Sequence, residues 1–304
     1  MATGEIGLCF GVVKKLPRSA VPSKYLIPSS ISGLVTDVWE VGVLKVLPVI
    51  REFNKRYRPA PGGVSVGHKD ITAGTLGCLC KREGKVCILS NNHVLANSNA
   101  ANIGDPVYQP GPYDGGTERD TIAHLYHYEP IKFNQQPIPP VPPCKPSKIF
   151  QSVANWILKW VSSWRLGFYP AEDQQINYID AALAEVEDTS LVTPEIKELG
   201  TIAGMVELAL GMPVKKCGRT TEVTDGKIEQ VNVSCTVQYG GGRTAYFEDQ
   251  LMAGAMSKGG DSGSVVLSND NFIGGLLFAG SESCTVMNRI QNVVEILGID
   301  SFLS

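Results

Sequence analysis

Gly260-Asp261-Ser262-Gly263-Ser264 lies near the end of this 304-residue chain, and the interpretation of the rest of the sequence depends on it. A serine between glycines, with an acid just before it, is how one large class of hydrolases presents a nucleophile. The glycines allow backbone angles that other residues adopt only at a cost. They also let backbone N–H groups converge on a carbonyl oxygen that becomes negative during reaction. A five-residue match alone is a modest signal. It indicates a catalytic serine only if a histidine and an acid elsewhere in the chain stand in the right order.

The order of the histidines limits the possible arrangements. All four precede Ser262: His68, His93, His124 and His127. This excludes the α/β-hydrolase order, in which the histidine follows the serine, and leaves His–Asp–Ser and Asp–His–Ser. The run Val86-Cys87-Ile88-Leu89 predicts a buried strand, and Ser90-Asn91-Asn92 predicts a turn at its end. His93 follows directly. Considered alone it would more often be structural, but together with Ser262 it is the candidate base.

The candidate acid is Asp180, which lies within the apolar stretch Asn177-Tyr178-Ile179-Asp180-Ala181-Ala182-Leu183-Ala184. A buried carboxylate needs a partner, because an unpaired buried charge is costly. In a triad the partner is the imidazole N–H of the base, whose tautomer the acid holds. Backbone N–H groups at a turn are the structural alternative. The Asp–His–Ser order would need Asp70, which lies in a polar loop with no sign of burial, and is disfavoured.

Spacing supports the order His93, Asp180, Ser262. The two gaps are 87 and 82 residues, against about 45 and about 93 in chymotrypsin. The long first gap has an explanation. Six prolines within 135–146 predict an extended linker, and apolar residues at helical spacing predict a helix over 150–164. Removing this insertion leaves an ordinary first gap.

Composition indicates a globular protein with an all-β body. The chain is 43% hydrophobic and 19% charged, with 32 glycines, 19 prolines and a net charge of −3. Many short strand-like runs between turn residues favour strands over helices. The lack of a basic cluster argues against nucleic-acid binding. No apolar stretch approaches the ~18 to 20 residues that a membrane span needs. The start lacks signal-peptide features, which predicts a cytoplasmic protein without disulfides.

A zinc site is the competing use of the cysteines. Cys78, Cys80 and Cys87 with His93 are conceivable ligands. However, Cys78 and Cys80 would project from one face of a strand, where buried thiols behave as small hydrophobes. We therefore expect no metal and no other cofactor, and treat the zinc site as the minor alternative.

Seven motifs together resemble the trypsin-fold (chymotrypsin-like) serine peptidases. The sequence is most similar to a predominantly bacterial group of trypsin-like peptidase proteins, which is similar in turn to the narrow-leaf peptidases of plants. The motifs run from about residue 60 to residue 290: Gly74-Thr75-Leu76-Gly77, Leu89-Ser90-Asn91-Asn92-His93-Val94-Leu95-Ala96-Asn97, Gln109-Pro110-Gly111-Pro112-Tyr113-Asp114-Gly115-Gly116, Ile179-Asp180-Ala181-Ala182, Gly218-Arg219-Thr220-Thr221, Gly259-Gly260-Asp261-Ser262-Gly263-Ser264 and Leu277-Phe278-Ala279-Gly280-Ser281.

The resemblance implies two antiparallel six-stranded β-barrels with the active site in the cleft between them. His93 would be general base and then general acid, Asp180 its orienting partner and Ser262 the nucleophile. The backbone N–H groups of Gly260 and Ser262 would form the oxyanion hole. Phe278, Ala279 and Gly280 would lie in the strand that pairs with the substrate backbone. Met256, six residues before the nucleophile, would form the pocket floor and disfavour Arg or Lys at the cleavage site.

Two departures from secreted relatives accompany the resemblance. Val94 stands where those enzymes carry a disulfide cysteine, which agrees with a reducing compartment. No Ile-Val-Gly-Gly-like start precedes the first predicted barrel, so activation by a new N-terminus that pairs with Asp261 is not supported.

The predicted organisation has three parts: a small α/β wing over 1–60, a first barrel over 61–190 with an insertion at 130–170, and a second barrel over 191–304. Ile290, Val293, Val294, Ile296 and Leu297 have the spacing of a C-terminal helix. The wing either packs on the barrels or is an inhibitory or partner-binding segment. The inserted helix either packs on the body or acts as a partner site or lid, and membrane contact is the least favoured alternative. The predicted function is a serine endopeptidase that acts on protein or peptide substrates. The alternative is a catalytically silent or gated peptide-binding module of the same fold.

Overall fold

A computed structural model describes residues 7–42, 52–134 and 175–304. The predicted Pro-rich linker (135–146) and inserted helix (150–164) therefore lie outside the described residues. Strands dominate the described part. The α-helices in it are α1 (Asn92–Leu95) and α2 (Ile290–Leu297). Short 3₁₀ turns lie at Arg18–Ala20, Ser23–Tyr25, Glu52–Asn54, Asn97–Asn99, Pro112–Asp114, Glu118–Asp120 and Thr189–Leu191.

The N-terminal part is a small sheet. It contains β1 (Leu8–Val12), β2 (Ser30–Ile31) and β3 (Leu34–Glu40), with β1 parallel and β2 antiparallel to β3. In the described residues, the helical content of the predicted α/β wing (1–60) is limited to three 3₁₀ turns. The wing contacts the second barrel through Val41, which packs in one apolar cluster with Ala279 and Cys284.

The first barrel is a closed ring of antiparallel strands. Its strands are β5 (Ser65–His68), β6 (Gly74–Thr75), β7 (Cys78–Arg82), β8 (Lys85–Ser90), β9 (Pro106–Tyr108), β10 (Thr121–Tyr128) and β12 (Ala182–Glu185). β6 and β7 are two parts of one stretch: β5 pairs with β6, and β7 pairs with β8. The ring then runs through β12, β10 and β9 back to β5. With β6 and β7 counted as one strand, the barrel has six strands, as predicted.

The second barrel closes in the same way. Its strands are β15 (Pro213–Gly218), β16 (Glu222–Gln238), β17 (Thr244–Gly254), β18 (Val265–Ser268), β19 (Phe272–Gly280) and β20 (Cys284–Arg289). The ring order is β15-β16-β17-β20-β19-β18, and β18 pairs again with β15. Each pair is antiparallel, so paired strands that are consecutive in the chain can be joined by hairpins. The predicted all-β fold of two six-stranded barrels is confirmed.

Short strands attach to the rings from outside. They are β4 (Ala60–Gly62) with β13 (Val192–Ile196), β11 (Ile176–Asn177) on β17, β14 (Gly204–Met205) on β19, and β21 (Ser301–Phe302) on β7. β4 and β13 pair with each other. They lie close to the predicted domain boundaries at residues 60 and 190, and those boundaries stay predictions.

Apolar side chains hold the barrels together. One cluster fills the first barrel around Leu76, Ile88 and Leu125. Another fills the second barrel around Leu251 and Met287. A third joins the two, because Leu89 and Leu183 of the first barrel pack with Leu267 and Leu276 of the second. Helix α2 closes the fold as predicted: Ile290, Val293 and Leu297 are buried on its inner face.

Candidate active site

His93 lies in the single turn of α1, immediately after β8 ends at Ser90. The strand is rigid because Ile88 and Leu89 are buried in two different core clusters. The turn is anchored as well: Asn91 Nδ2 donates to the backbone carbonyl of Asp180 at 2.7 Å. The imidazole is therefore held at the end of a buried strand, as the sequence predicted.

Asp180 is fully buried and directly faces His93. His93 Nδ1 lies 2.6 Å from Asp180 Oδ2, and the His93 backbone N–H donates to Oδ1 at 3.2 Å. The Asp180 N–H donates to Asn288 Oδ1 at 3.1 Å, which ties this loop to β20 of the second barrel. Because a carboxylate only accepts hydrogen bonds, the contact places a proton on Nδ1 and leaves Nε2 as the basic nitrogen.

A third group on this carboxylate was not predicted. Tyr239, which follows β16, donates its hydroxyl proton to Asp180 Oδ2 at 2.8 Å. Its ring meets the His93 ring edge-on, with 5.9 Å between centroids. Burial, followed by the nearby Asp180 charge, raises the pKa of Tyr239 well above its usual value. The hydroxyl therefore stays protonated and acts as a donor.

Ser262 lies in the turn between β17 and β18. It is close to the segment that carries His93, because a Cβ on Gly74 would overlap both Val94 and the Ser262 carbonyl. The Thr75 N–H donates to the Ser262 carbonyl at 2.8 Å. The serine hydroxyl itself donates to the carbonyl of Phe278 at 3.3 Å. His93 Nε2 is buried and has no hydrogen-bond partner among the described residues. The structure thus joins His93 to Asp180 directly, and brings Ser262 to the same junction without a bond from its Oγ to His93.

Glycine is required at two positions around the serine. Gly260 has φ +96° and Gly263 has φ +97°, in the left-handed region that side chains disfavour. Space is also lacking, because a Cβ on Gly260 would overlap Arg219 Nη1 and Thr220 Oγ1. Within the described part of the chain, the N–H groups of Gly260 and Ser262 have no hydrogen-bond acceptor.

Asp261 forms a buried ion pair beneath the serine. Its Oδ2 lies 3.3 Å from Lys216 Nζ, and both side chains are fully buried. Oδ1 accepts from the backbone N–H groups of Thr220 at 2.9 Å and Thr221 at 3.0 Å, and Oδ2 accepts from that of Lys258 at 2.9 Å. Burial lowers the pKa of Lys216, and the Asp261 charge opposes that shift. The ion pair and these hydrogen bonds therefore fix the turn that precedes Ser262.

A second buried ion pair connects the two barrels. Arg219, just after β15, binds Asp114 through two nitrogens, with Nε at 2.7 Å from Oδ2 and Nη2 on Oδ1. Thr75 reinforces this junction, since its Oγ1 donates to the Gly260 carbonyl at 2.8 Å and accepts from the Arg219 N–H at 3.0 Å. Several of the motifs that carry the resemblance therefore meet around the Gly260 turn.

Of the residues predicted to bind substrate, three lie beside Ser262 and the fourth packs in the second-barrel core. Phe278, Ala279 and Gly280 lie at the end of β19, next to Ser262. The Met256 side chain instead packs into the second-barrel core with Leu251 and Met287, and its sulfur lies against Gly226. Its predicted place at the pocket floor stays a prediction.

Two polar side chains, those of Ser257 and Thr285, lie near Gly280 at the end of β19. Ser257 Oγ lies 2.8 Å from Thr285 Oγ1, and a Cβ on Gly280 would lie 2.8 Å from the same Ser257 oxygen. Ser257 therefore closely approaches the end of β19. The roles predicted for these positions stay predictions.

The three cysteines of the zinc alternative are placed as core residues. Cys78, Cys80 and Cys87 are buried in the cluster that joins the barrels, and burial raises the pKa of the Cys87 thiol to about 11. No group of three or more His, Cys, Asp or Glu side chains in the described ranges is arranged to hold a metal ion. The zinc alternative therefore has no geometric support there. No helix of the described segments has both the length and the apolar character to cross a bilayer.

Sequence signals existed for some of the residues that the predictions missed. Lys216 has the same parity along β15 as the buried Val214, so alternation places it on the inner face. Asp114 and Arg219 both lie in motifs quoted above. For Tyr239 the signal is weak: Gly240-Gly241-Gly242 marks a tight turn but does not indicate what the preceding side chain contacts.

Comparisons with known proteins add similarity at the level of fold. No protein-family model matches the chain, and no curated protein matches it. Among solved structures, protease A of Thermobifida fusca is similar at 16% identity and TM-score 0.49, covering 81% of this chain and 100% of that one. A Nocardiopsis protease is similar at 14% identity and TM-score 0.49, covering 80% and 100%.

A chymotrypsin of Cellulomonas bogoriensis is similar at 13% identity and TM-score 0.49, covering 80% of this chain and 98% of that one. The fold assignment follows from the two closed strand rings. The described chain has the chymotrypsin-like double-barrel fold. The further likeness to narrow-leaf peptidases of plants is not supported by these comparisons and stays a prediction.

Proposed function

We propose that this protein is a serine endopeptidase that hydrolyses peptide bonds through His93, Asp180 and Ser262. The observation that carries the proposal is the buried contact of 2.6 Å between Asp180 Oδ2 and His93 Nδ1. It holds the imidazole in the tautomer whose Nε2 can take a proton. A buried acid, a histidine and a glycine-flanked serine at one junction are hard to explain by packing alone.

The proposed reaction has two stages. Ser262 Oγ attacks the scissile carbonyl and forms a bond to its carbon, while His93 Nε2 takes the hydroxyl proton. The C–N bond then breaks, and His93 returns that proton to the leaving amine. Water hydrolyses the acyl-enzyme with the same base. The N–H groups of Gly260 and Ser262, which have no acceptor among the described residues, would stabilise the oxyanion in both stages.

One rearrangement precedes the first stage. Ser262 Oγ donates to the Phe278 carbonyl in the free protein, and rotation about χ1 is needed to aim it at His93. Staggered rotamers of a serine interconvert readily, and catalytic hydrogen bonds often form only in the substrate complex. A substrate strand that pairs with the end of β19 would compete for the same backbone region and favour that rotation.

The same observation favours the second candidate, a silent or gated peptide-binding module. In that case Ser262 would stay bonded to Phe278 and would never engage His93. A fluorophosphonate probe, which reacts covalently with an activated serine, separates the two candidates. We expect labelling of the wild-type protein, loss of labelling in Ser262→Ala, and full labelling of the exposed-surface control Ser190→Ala.

The absence of labelling between pH 6 and 9, in protein shown by circular dichroism to be folded, contradicts the peptidase proposal. If labelling occurs, profiling of new protein termini generated by the wild type but not by Ser262→Ala tests endopeptidase action. Labelling without any new internal termini would restrict the activity to ester-like or terminal substrates.

A further inference from the structure

The carboxylate of Asp180 receives a donor from each barrel. His93 Nδ1 of the first barrel lies 2.6 Å from Oδ2, and the Tyr239 hydroxyl of the second barrel donates to the same oxygen at 2.8 Å. Asp180 Oδ1 accepts only the His93 backbone N–H among the described residues. Tyr239 therefore provides the one side-chain hydrogen bond, besides that of the base itself, that orients this carboxylate within the described chain.

Aromatic packing fixes the direction of the Tyr239 hydroxyl. The ring meets Phe133 edge-on at 5.4 Å and stacks on Phe247 at 6.3 Å between centroids, in addition to its contact with His93. Phe247 in turn packs against Phe278 at 4.8 Å. A ring with neighbours on several sides has little freedom to rotate away.

The hairpin that carries Tyr239 is tightly turned. The Tyr239 N–H donates to the Arg243 carbonyl at 3.0 Å, and the Arg243 N–H donates to the Gly240 carbonyl at 3.1 Å. The three glycines between them all have positive φ, which lets β16 reverse sharply into β17. The guanidinium of Arg243 lies over Phe133, 4.6 Å from the ring centroid, and closes the aromatic group from outside.

The groups around the hydroxyl show what it can do chemically. The titratable side chains that face it are Asp180, His93 and, from β16, Cys235. Among these groups, the phenol donates its single proton to the Asp180 carboxylate. That bond draws electron density from Oδ2, the atom on which an imidazolium at His93 would depend. Tyr239 therefore acts both on the orientation of Asp180 and on the basicity that His93 experiences.

We propose that Tyr239 is a positioning residue of the candidate triad, which holds the Asp180 carboxylate in line with His93 Nδ1 and moderates the basicity of the His93 imidazole. The proposal rests on the proposed function for its kinetic consequences. In this proposal, the alignment of His93 in the first barrel depends on the Tyr239 hairpin of the second barrel.

The first test is Tyr239→Phe, which removes one oxygen and keeps the ring packing. A hydrogen bond to a charged group sets the scale: we expect kcat to fall roughly tenfold to a hundredfold, with KM within about twofold. Without the donor, Oδ2 carries more charge and stabilises imidazolium, so the acidic limb of kcat/KM should move to higher pH. Tyr178→Phe is the matched control, because Tyr178 is exposed and close in sequence to Asp180.

The second test replaces Tyr239 with 3-fluorotyrosine, which has almost the same size and a more acidic phenol. The stronger donor should move the acidic limb to lower pH, opposite to Tyr239→Phe. A purely structural role predicts no such pair of opposite shifts. This variant also decides the question if Tyr239→Phe folds poorly, since it keeps every contact.

The His93 imidazole provides a readout that does not need activity. NMR titration of His93 in the Ser262→Ala background should show a higher pKa after Tyr239→Phe and a lower one with fluorotyrosine. An unchanged His93 titration in both variants overturns the proposal, as does a kcat of Tyr239→Phe within twofold of wild type. If the wild type fails to react with fluorophosphonate, the peptidase proposal fails, and this titration still decides the role of Tyr239.

Discussion

Lys216→Met tests whether the buried Lys216–Asp261 pair supports the turn of the candidate nucleophile. The substitution keeps an unbranched side chain of similar length, so core packing changes little. It removes the ammonium that lies 3.3 Å from Asp261 Oδ2. Asp261 would then remain as a fully buried charge without its ionic partner, the situation in which breaking a buried pair typically costs about 3–5 kcal/mol.

The remaining hydrogen bonds determine where in that range the effect falls. Asp261 keeps three backbone N–H donors and the Thr221 hydroxyl, which donates at 2.6 Å. Because charge-assisted hydrogen bonds of this kind are strong, we expect the lower end, about 3 kcal/mol. At about 2–4 °C per kcal/mol for a unit of 150–250 residues, the melting temperature should fall by roughly 6–12 °C.

Urea unfolding of four proteins measures this effect: the wild type, Lys216→Met, Asp261→Asn and the double variant. The double variant should be less destabilised than the sum of the two single variants, because it contains no unpaired buried charge. Lys215→Met is the matched control. Its ammonium bonds to the Asn269 carbonyl at an exposed position, so the free energy of unfolding should change by less than about 0.5 kcal/mol. A Lys216→Met protein as stable as this control, or strict additivity in the cycle, would refute the reasoning.

Three further changes have defined outcomes. Asp180→Asn should hold His93 in the wrong tautomer and lower kcat by about 10⁴, with KM nearly constant in steady-state assays; a tenfold effect would argue against the triad. Gly260→Ala should slow fluorophosphonate labelling at least about a hundredfold, because its Cβ would overlap Arg219 Nη1, whereas Gly84→Ala, with φ +78° and open space around it, should label normally. Burial raises the pKa of Cys217 to about 12, so above the unfolded thiol pKa of about 8.5 the unfolded state loses its proton first and stability falls as pH rises. In urea titrations between pH 9 and 11, Cys217→Ala should reduce that slope by about 1.4 kcal/mol per pH unit, and an unchanged slope contradicts the assignment.

The sequence alone determined the features that depend on order and local pattern. The position of every histidine before Ser262 excluded the α/β-hydrolase arrangement without any coordinates. The apolar run before His93 predicted the buried strand that carries it, and the apolar surroundings of Asp180 predicted burial with a partner. Helical spacing over residues 290–297 predicted α2, whose inner face is buried as expected. Each of these signals lies within one strand, helix or turn, where periodicity directly specifies which side chains face the core.

Only the tertiary structure decided which distant residues meet. The partners of Asp180 and Asp114 lie 59 and 105 residues further along the chain, at Tyr239 and Arg219, and no local pattern encodes such contacts. They follow from closure of the two rings, whose strand registers are fixed by many side-chain pairs at once. Met256 was assigned to the substrate pocket from its position six residues before Ser262, and the structure adds that its side chain packs in the second-barrel core. Spacing along the chain predicts which residues are available near a site, whereas packing and ring closure decide which of them reach it.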